Sequence, residues 1–480
     1  MLVLLFCSLL AGLAAAAPGN DTTKVCSYLY TKYPQYLAWD TQGPYANQSA
    51  TNASIYDEIN GVWWNKANSK LRSACAFFPA NAEQVSDAVK ELNKYPTVSF
   101  ALKSGGHQPA PGFSATDGGV MISFEPNMNA TVRSGDGKHF LVGPGARWGD
   151  VYNVTGRTDQ VVVGGRLGHI GVGGFVLGGG LSYYSAQYGL ACDNVDNFEA
   201  VLANGSIVNA NRNSNPDLWW ALRGGGNQFA IITQLTLQAH PAGSNGSVWG
   251  GIRSYHGSQR TQLFNAITNF IRDYPDAKAA VIPTFQFGLP GNLLNAIGGP
   301  TFFFFYDGAT PPAGVFDEFD AIKAVSDDTG TKSYWELTNA AGGAKPMGFG
   351  ASFREDTYPN MPTANMTDFY EVLYRAMYKQ SLDNSLKGLD VQILGFDPQP
   401  MSVRIARASN AQGGNTLGLD PANGDRVWVE NNMLWLNADC NDACPGYSKS
   451  VSDAVKAYHM QHYAGVKPSN YKSGDLDFVK

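Results

Sequence analysis

The sequence predicts an α+β protein built as two units, and three observations lead there. The chain has 480 residues, too many for one simple core, with 44% hydrophobic and 15% charged residues, as in packed globular proteins. Its first half alternates short apolar runs with glycine-rich loops, while its second half carries longer strand-like runs separated by helical patterns. Between the halves lies Pro241-Ala242-Gly243-Ser244-Asn245-Gly246, a turn-rich stretch suited to a boundary.

Taken in order, residues 1–17 form a short apolar stretch closing on Ala14-Ala15-Ala16-Ala17, which reads as a cleaved secretory signal peptide. Residues 18–65 read as irregular, punctuated by tyrosine and tryptophan. A strand ends at 76–79, and 81–92 is an amphipathic helix with Val85, Val89 and Leu92 on one face. The strand at 98–102 runs directly into Ser104-Gly105-Gly106-His107. Strands follow at 120–124 and 140–142, then a helix at 148–154. Asn204-Gly205 between 197–202 and 206–209 predicts a hairpin with a type I′ turn. A short helix at 217–222 leads to an alternating strand at 229–238. Beyond the boundary, strands are expected at 279–287, 300–306 and 403–408, and helices at 262–272, 315–321 and 366–379. They make a second α+β unit with a large antiparallel sheet.

A net charge of −6 without basic blocks excludes a nucleic-acid partner. No later apolar run is long enough to span a membrane. Eight Asn-x-Ser/Thr sequons (Asn20, Asn47, Asn52, Asn129, Asn153, Asn204, Asn245 and Asn365) fit a secreted glycoprotein. In an oxidising compartment the expected disulfides are Cys26–Cys75 and Cys440–Cys444, leaving Cys192 free. No metal site is expected, because the cysteines lack a second ligand pair and His459-x-x-His462 reads as a surface helix.

The chemistry concentrates in glycine. Nine of the seventeen positions from Gly164 to Gly180 are glycine, and each would cost about 1 kcal/mol relative to alanine in a helix. Interleaved Val172, Phe175, Val176 and Leu177 argue against a solvated linker. The pattern suits backbone that approaches a ligand closely and turns N–H groups toward an anion, with the His107 imidazole aimed into the same cleft. A dinucleotide fold of the Rossmann kind is excluded, since the sixth position counted from Gly171 is Val176. A P-loop lacks its Gly-Lys-Ser/Thr. A flavin-binding unit of another design is the economical reading.

Four segments carry a resemblance: Ser104-Gly105-Gly106-His107; Gly171-Val172-Gly173-Gly174 with Gly178-Gly179-Gly180; Tyr188-Gly189-Leu190 with Asp193-Asn194-Val195; and Arg223-Gly224-Gly225-Gly226-Asn227. Together they resemble the berberine bridge enzyme-like branch of the vanillyl-alcohol oxidase and p-cresol methylhydroxylase flavoproteins. The likeness runs from about Cys75 to Thr233, with a shorter piece at Asn470-Tyr471.

The resemblance implies a two-domain α+β, FAD-binding fold of the p-cresol methylhydroxylase type. The FAD-binding domain would occupy 65–241, a substrate domain on a large antiparallel sheet 242–455, and a tail at 456–480 would return to the FAD domain. In relatives that tail continues further, so the chain is expected to be truncated at Lys480. FAD is expected to be bonded covalently to His107. Leu167 stands where bicovalent relatives have a cysteine, so His107 would be the sole attachment. The cofactor contacts implied are Ser104, Gly105, Gly106, His107, Gly168, His169, Ile170, Gly171, Gly173, Gly174 and Asn470.

His169 stands where relatives often have threonine, with a hydrogen bond to flavin or substrate, or a plain loop role, as its options. Ile170 matches an oxygen gate and implies slow reaction with oxygen. Leu181 replaces a tyrosine used by many relatives. Tyr471 is the candidate general base, with an ordinary packed tyrosine as the alternative. Arg404 and Arg407, on the expected 403–408 strand, would supply positive field or lie at a solvated edge.

The function implied is a secreted FAD-dependent oxidoreductase. It would oxidise a small molecule (an alcohol, a sugar or a natural-product scaffold) by hydride transfer to flavin N5, with oxygen or another acceptor restoring the cofactor. A flavin-carrying binding glycoprotein with little turnover is the alternative.

Overall fold

A computed structural model of the chain describes residues 20–42, 52–288, 299–340, 348–383, 386 and 388–468. The expected signal peptide at 1–17, Asn470 and Tyr471 lie outside the described residues.

Three sheets carry the architecture, with a two-stranded ribbon beside them. The first is β1 (Leu37–Trp39), β2 (Cys75–Phe77), β3 (Phe100–Lys103) and β4 (Val120–Ser123), in the order β1-β2-β4-β3 with β2, β4 and β3 parallel. The second comprises β5 (Thr131–Arg133), β6 (His139–Val142), β8 (Val195–Val201), β9 (Ile207–Asn211) and β10 (Ile231–Gln238), in the antiparallel order β5-β6-β10-β8-β9. The ribbon pairs β7 (Gln160–Val161) with β11 (His240–Pro241).

The third sheet holds β12 (Ser247–Tyr255), β13 (Ala279–Gly288), β14 (Gly299–Tyr306), β15 (Ala324–Asp327), β16 (Gly330–Ser333), β17 (Gly350–Pro359), β18 (Val391–Met401) and β19 (Arg426–Trp435). Its order is β15-β12-β14-β13-β18-β19-β17, antiparallel throughout, with β16 also on β12. This is the large antiparallel sheet that the long strand-like runs predict.

Alternation along the strands decides what each face meets. On one face Phe285 and Phe396 stack at 4.9 Å and meet Phe264 of the helix α8 (Arg260–Asp273). That helix packs on α11 (Thr363–Ser381) through Phe264 and Tyr370, 5.2 Å apart. The opposite face turns toward the glycine loops, where Phe305 stacks on Tyr183 at 4.9 Å. Positions 353, 355, 397, 399, 430 and 432 lie on that second face by register.

Three expectations need correction. Residues 18–65 are not uniformly irregular: they include α1 (Asn20–Lys32) and α2 (Ala53–Gly61). In α1, Val25, Cys26 and Leu29 fall on one buried face, and Cys26 is disulfide-bonded to Cys75 of β2. The 403–408 run is no strand but the helix α12 (Val403–Ala411). Ser402 caps it by accepting the Arg404 N–H at 3.2 Å, and Val403, Ile405, Ala406 and Ser409 follow helical spacing into the core. Arg404 and Arg407 therefore stand exposed on a helix rather than on a sheet edge. Finally, the β8–β9 hairpin has only Gly205 of its Asn-Gly pair at positive φ (+81°). This is a three-residue loop with glycine in the left-handed position, not a type I′ turn.

The remaining pairings agree with the sequence. Cys440 is bonded to Cys444, and Cys192 is free and buried. His459 is buried against Tyr358 at 4.9 Å in the helix α13 (Cys440–Tyr463). No cluster of metal ligands occurs among the described residues. Among them, too, no helix is long and apolar enough to cross a membrane.

Candidate active site

Strand β3 delivers the first loop. Its last residue, Lys103, is buried; its ammonium donates to the Ile59 carbonyl and lies 4.2 Å from the Trp63 ring. Burial lowers its pKa to about 7. Ser104 then stitches two loops together, donating to Pro144 O at 2.6 Å and accepting the Gly173 N–H at 3.2 Å.

Gly105 and Gly171 are required by close approach. A Cβ on Gly171 would lie 2.3 Å from the Gly105 nitrogen, and one on Gly105 would lie 2.6 Å from the Gly171 Cα. Gly168 is held the same way, its added Cβ falling 2.6 Å from Asn339 Oδ1. The Gly168 carbonyl accepts from Gly149 at 2.8 Å. Gly174 differs: a Cβ there would meet nothing within 4 Å, so this stretch of loop borders open space. Ile170 is partly buried against the main core and accepts the Trp148 N–H at 3.0 Å.

Two imidazoles meet between these loops. His107 Nε2 lies 3.2 Å from His169 Nε2, and Trp64 stacks on both rings at 4.7 and 5.2 Å. The backbone N–H of Trp64 donates to Gly106 O at 2.9 Å, which ties this residue to the loop. Arg147 braces the pair from behind, donating from Nη1 to the His169 carbonyl at 2.7 Å and from Nε to Glu125 at 3.0 Å. Burial first, then the neighbouring His169 and Arg147, lowers the pKa of His107 to about 3, so its ring is neutral.

The large sheet faces this pair. Trp64 reaches Phe353 of β17 at 6.3 Å, and Asn65 Nδ2 donates to Ala351 O at 3.0 Å. One register step beyond Phe353, three carboxyl groups lie abreast on adjacent strands: Glu355 opposite Glu430, and Glu430 opposite Asp397. Arg166, from the glycine-rich loop, hydrogen-bonds Gln399 on the same face. Asn432 donates to Asp397 Oδ2 at 3.2 Å.

Burial, and then repulsion from Glu430, raises the pKa of Asp397 well above the carboxylate range. Burial also raises Glu430, against the pull of Arg166 and a hydrogen bond from Asp397. Desolvation by the surrounding protein, and then repulsion from Glu430, raises Glu355 to about 8. The buried Asp397 Oδ1 has no hydrogen-bond partner among the described residues. Asp397 and Glu430 are thus both shifted toward the protonated form, with Arg166 opposing the shift at each.

Sequence reasoning missed this acidic ridge, Arg166 and Trp64. The available signal was a carboxylate interrupting apolar strands, in Leu394-Gly395-Phe396-Asp397 and Val427-Trp428-Val429-Glu430. The other motifs are structural where described. Asp193 and Arg223 form an ion pair at 3.0 Å with both side chains fully buried, joined by Asn415 at 2.8 Å. Leu181 is buried beside a nest of tyrosines whose hydroxyls burial pushes up, Tyr183 to about 12.

The fit to FAD is good. The glycine contacts leave no room for side chains at the loop crossing, the Gly174 backbone borders open space, and His107 is a neutral nucleophile. The Trp64 Nε1 is buried without a partner among the described residues, so a donor awaits an acceptor there.

Residues 73–211 match the family described as "FAD binding domain". An FAD-linked oxidoreductase of Arthroderma benhamiae, itself uncharacterised, is 35% identical over 374 residues, covering 77% of this chain and 72% of the relative. The FAD-dependent monooxygenase FUP4 of Fusarium proliferatum is 30% identical over 457 residues, 92% and 84% of the two chains. The chain belongs to the FAD-linked oxidoreductase family of these relatives.

Solved structures of this oxidoreductase fold agree. The 6-hydroxy-D-nicotine oxidase of Arthrobacter nicotinovorans superposes with a TM-score of 0.68 at 18% identity, covering 92% of this chain and 89% of that one. A grass pollen allergen with glucose dehydrogenase activity reaches 0.63 at 18% identity, covering 93% and 88%. The chain is therefore an FAD-binding oxidoreductase with an α+β fold that includes a large antiparallel sheet, as the resemblance implies.

Proposed function

We propose that this oxidoreductase is a secreted, N-glycosylated enzyme carrying FAD on His107 alone, and that it oxidises an alcohol, sugar or natural-product scaffold. Oxygen or another acceptor takes the electrons away. The FAD-binding domain is assigned to 65–241, the substrate domain to 242–455 and the returning tail to 456–480. Exposed sequons at Asn129, Asn153, Asn204 and Asn245 support glycosylation, and two disulfides support an oxidising compartment.

The observation that carries the reading is the acidic ridge facing the two imidazoles across Trp64 and Phe353. Bound FAD supplies a hydride acceptor at its N5. The residues proposed to hold it are Ser104, Gly105, Gly106, His107, Gly168, His169, Ile170, Gly171, Gly173 and Gly174, with Asn470 from the tail. Trp64 and Phe353 form an aromatic wall for substrate, and Asn432 and Gln399 offer it amide hydrogen bonds. Glu430 takes the substrate's O–H or N–H proton as hydride leaves carbon. Asp397, opposite Glu430 on the adjacent strand, titrates together with it, while Arg166 favours the charged form of Glu430.

Tyr471 is the alternative base, and one experiment separates the two. Flavin reduction is followed anaerobically with a panel of sugars, phenolic alcohols and amines. Glu430→Gln is expected to slow reduction by about 10²- to 10⁴-fold with the flavin spectrum retained, and Tyr471→Phe to leave it within a few fold. Reduction of Glu430→Gln at the parent rate overturns the carboxylate assignment.

A further inference from the structure

We infer that Lys103 is a positioning residue for the site: it grips the Trp63–Trp64 segment and so sets where the Trp64 ring stands against Phe353. The consequence for ligand binding rests on the proposed reading that Trp64 and Phe353 form a wall for substrate. The placement of Trp64 itself does not.

Lysine is a costly choice at this position. Its side chain is 1% exposed at the end of β3, where a neutral residue of the same length would fill the space without desolvating a charge. What its amino group reaches is one short segment. It donates to the carbonyl of Ile59, near the end of α2, and lies 4.2 Å from the centre of the Trp63 ring. Trp63 is buried, and its indole N–H donates to Asn60 O at 2.8 Å, so ring and helix end form one piece.

Trp64 is the next residue, and its backbone N–H donates to Gly106 O at 2.9 Å. Gly106 also meets the lysine: an added Cβ there would lie 3.0 Å from Lys103 Cε, 3.1 Å from Val62 O and 3.2 Å from the Trp63 ring. Lysine stem, glycine loop and segment are therefore in mutual contact. Beyond Trp64, Asn65 Nδ2 donates to Ala351 O at 3.0 Å and the Lys66 N–H to Phe349 O at 2.8 Å, which carries the segment to β17 and Phe353.

The charge makes the grip adjustable. A charged N–H donor and an ammonium over an indole face both bind more strongly than their neutral counterparts. Burial lowers the Lys103 pKa to about 7, with Glu125 and Glu58 favouring the cation and Arg147 opposing it. Below that value Lys103 is a cation and holds the segment tightly. Above it the amine keeps an ordinary hydrogen bond, loses its attraction to the Trp63 ring, and lets Trp64 shift with its neighbour.

The test uses full-length, FAD-loaded protein labelled with fluorotryptophan and followed by fluorine NMR from about pH 5 to about pH 9. Among the ten tryptophans, Trp63 and Trp64 are assigned with Trp63→Phe and Trp64→Phe. In the parent both resonances are expected to move with a shared midpoint of about 7. Lys103→Met should hold both still across the range. Lys103→Arg, charged throughout, should keep both near their low-pH positions, a rescue that mere filling of space would not give. Flat parent resonances, a Trp63 titration that Trp64 does not follow, or a Trp64 titration that survives in Lys103→Met each overturn the inference. The parent titration needs no variant, so poor folding of Lys103→Met does not shield it. Phenol, titrated below the midpoint and read by the Trp64 resonance, should bind about 3- to 30-fold more weakly to Lys103→Met than to the parent or Lys103→Arg. Equal phenol affinity in parent and Lys103→Met overturns the inference. Phenol that leaves Trp64 of the parent unperturbed overturns the substrate-wall reading instead, and the pH titration still decides the role of Lys103.

Discussion

Replacing Gly171 by alanine drives a methyl group into the backbone of the neighbouring loop. The added Cβ would stand 2.3 Å from the Gly105 nitrogen, 2.7 Å from its Cα and 2.8 Å from Ser104 Oγ. Ordinary contact begins near 3.4 Å, and the obstructing atoms are main chain, so the two loops must part by about 1 Å. Overpacking of that kind costs about 1–3 kcal/mol. If the strain falls on the FAD-bound form, affinity drops by about 5- to 150-fold. The measurement is FAD titration in a His107→Ala background, where binding is reversible, alongside the melting temperature. Gly174→Ala is the internal control, because its Cβ meets nothing in the protein. It should leave the melting temperature unchanged or slightly raised while weakening FAD, since the space it enters is assigned to the cofactor. Gly171→Ala binding FAD within twofold of its parent would refute the close-approach reasoning.

Two further predictions follow from buried charge. Asp193→Asn leaves Arg223 buried without its counter-charge and should destabilise the protein by about 3–5 kcal/mol. Thermal unfolding should show a fall of at least about 5 °C, and a fall below 1 °C contradicts the pairing. The second concerns pH. Asp397 and Glu430 bind protons more tightly folded than unfolded, so the stability they add is complete below the ordinary carboxylate range near pH 4. It is lost as pH rises through their raised folded values. Asp397→Asn should therefore gain melting temperature relative to the parent as pH is raised from 4 to 8, and parallel curves would show that Asp397 is not held protonated.

The glycine loops were legible because no other residue tolerates their contacts: Gly105, Gly168 and Gly171 are specified by atoms less than 3 Å away. The large sheet was legible because runs such as Phe302-Phe303-Phe304-Phe305 must bury both faces. The acidic ridge was not, since Glu355, Asp397 and Glu430 come from three distant segments and meet only through strand register. A shift of one residue would have put them on the helix-covered face. The 403–408 segment misled because alternating Val403, Ile405 and arginine imitates a strand, while the Ser402 cap is visible only with its N–H partner. Trp64 gave no signal of its own, because its role depends on Phe353 lying beyond it.

The most direct measurement is the mass of the proteolytic peptide that contains His107, taken from protein made in a secretory host and precipitated with acid. The account predicts a yellow pellet and a peptide heavier by one FAD, with the mass on His107 and none on the Leu167 segment. A colourless pellet, an unmodified His107 peptide and all the flavin in the supernatant would contradict it.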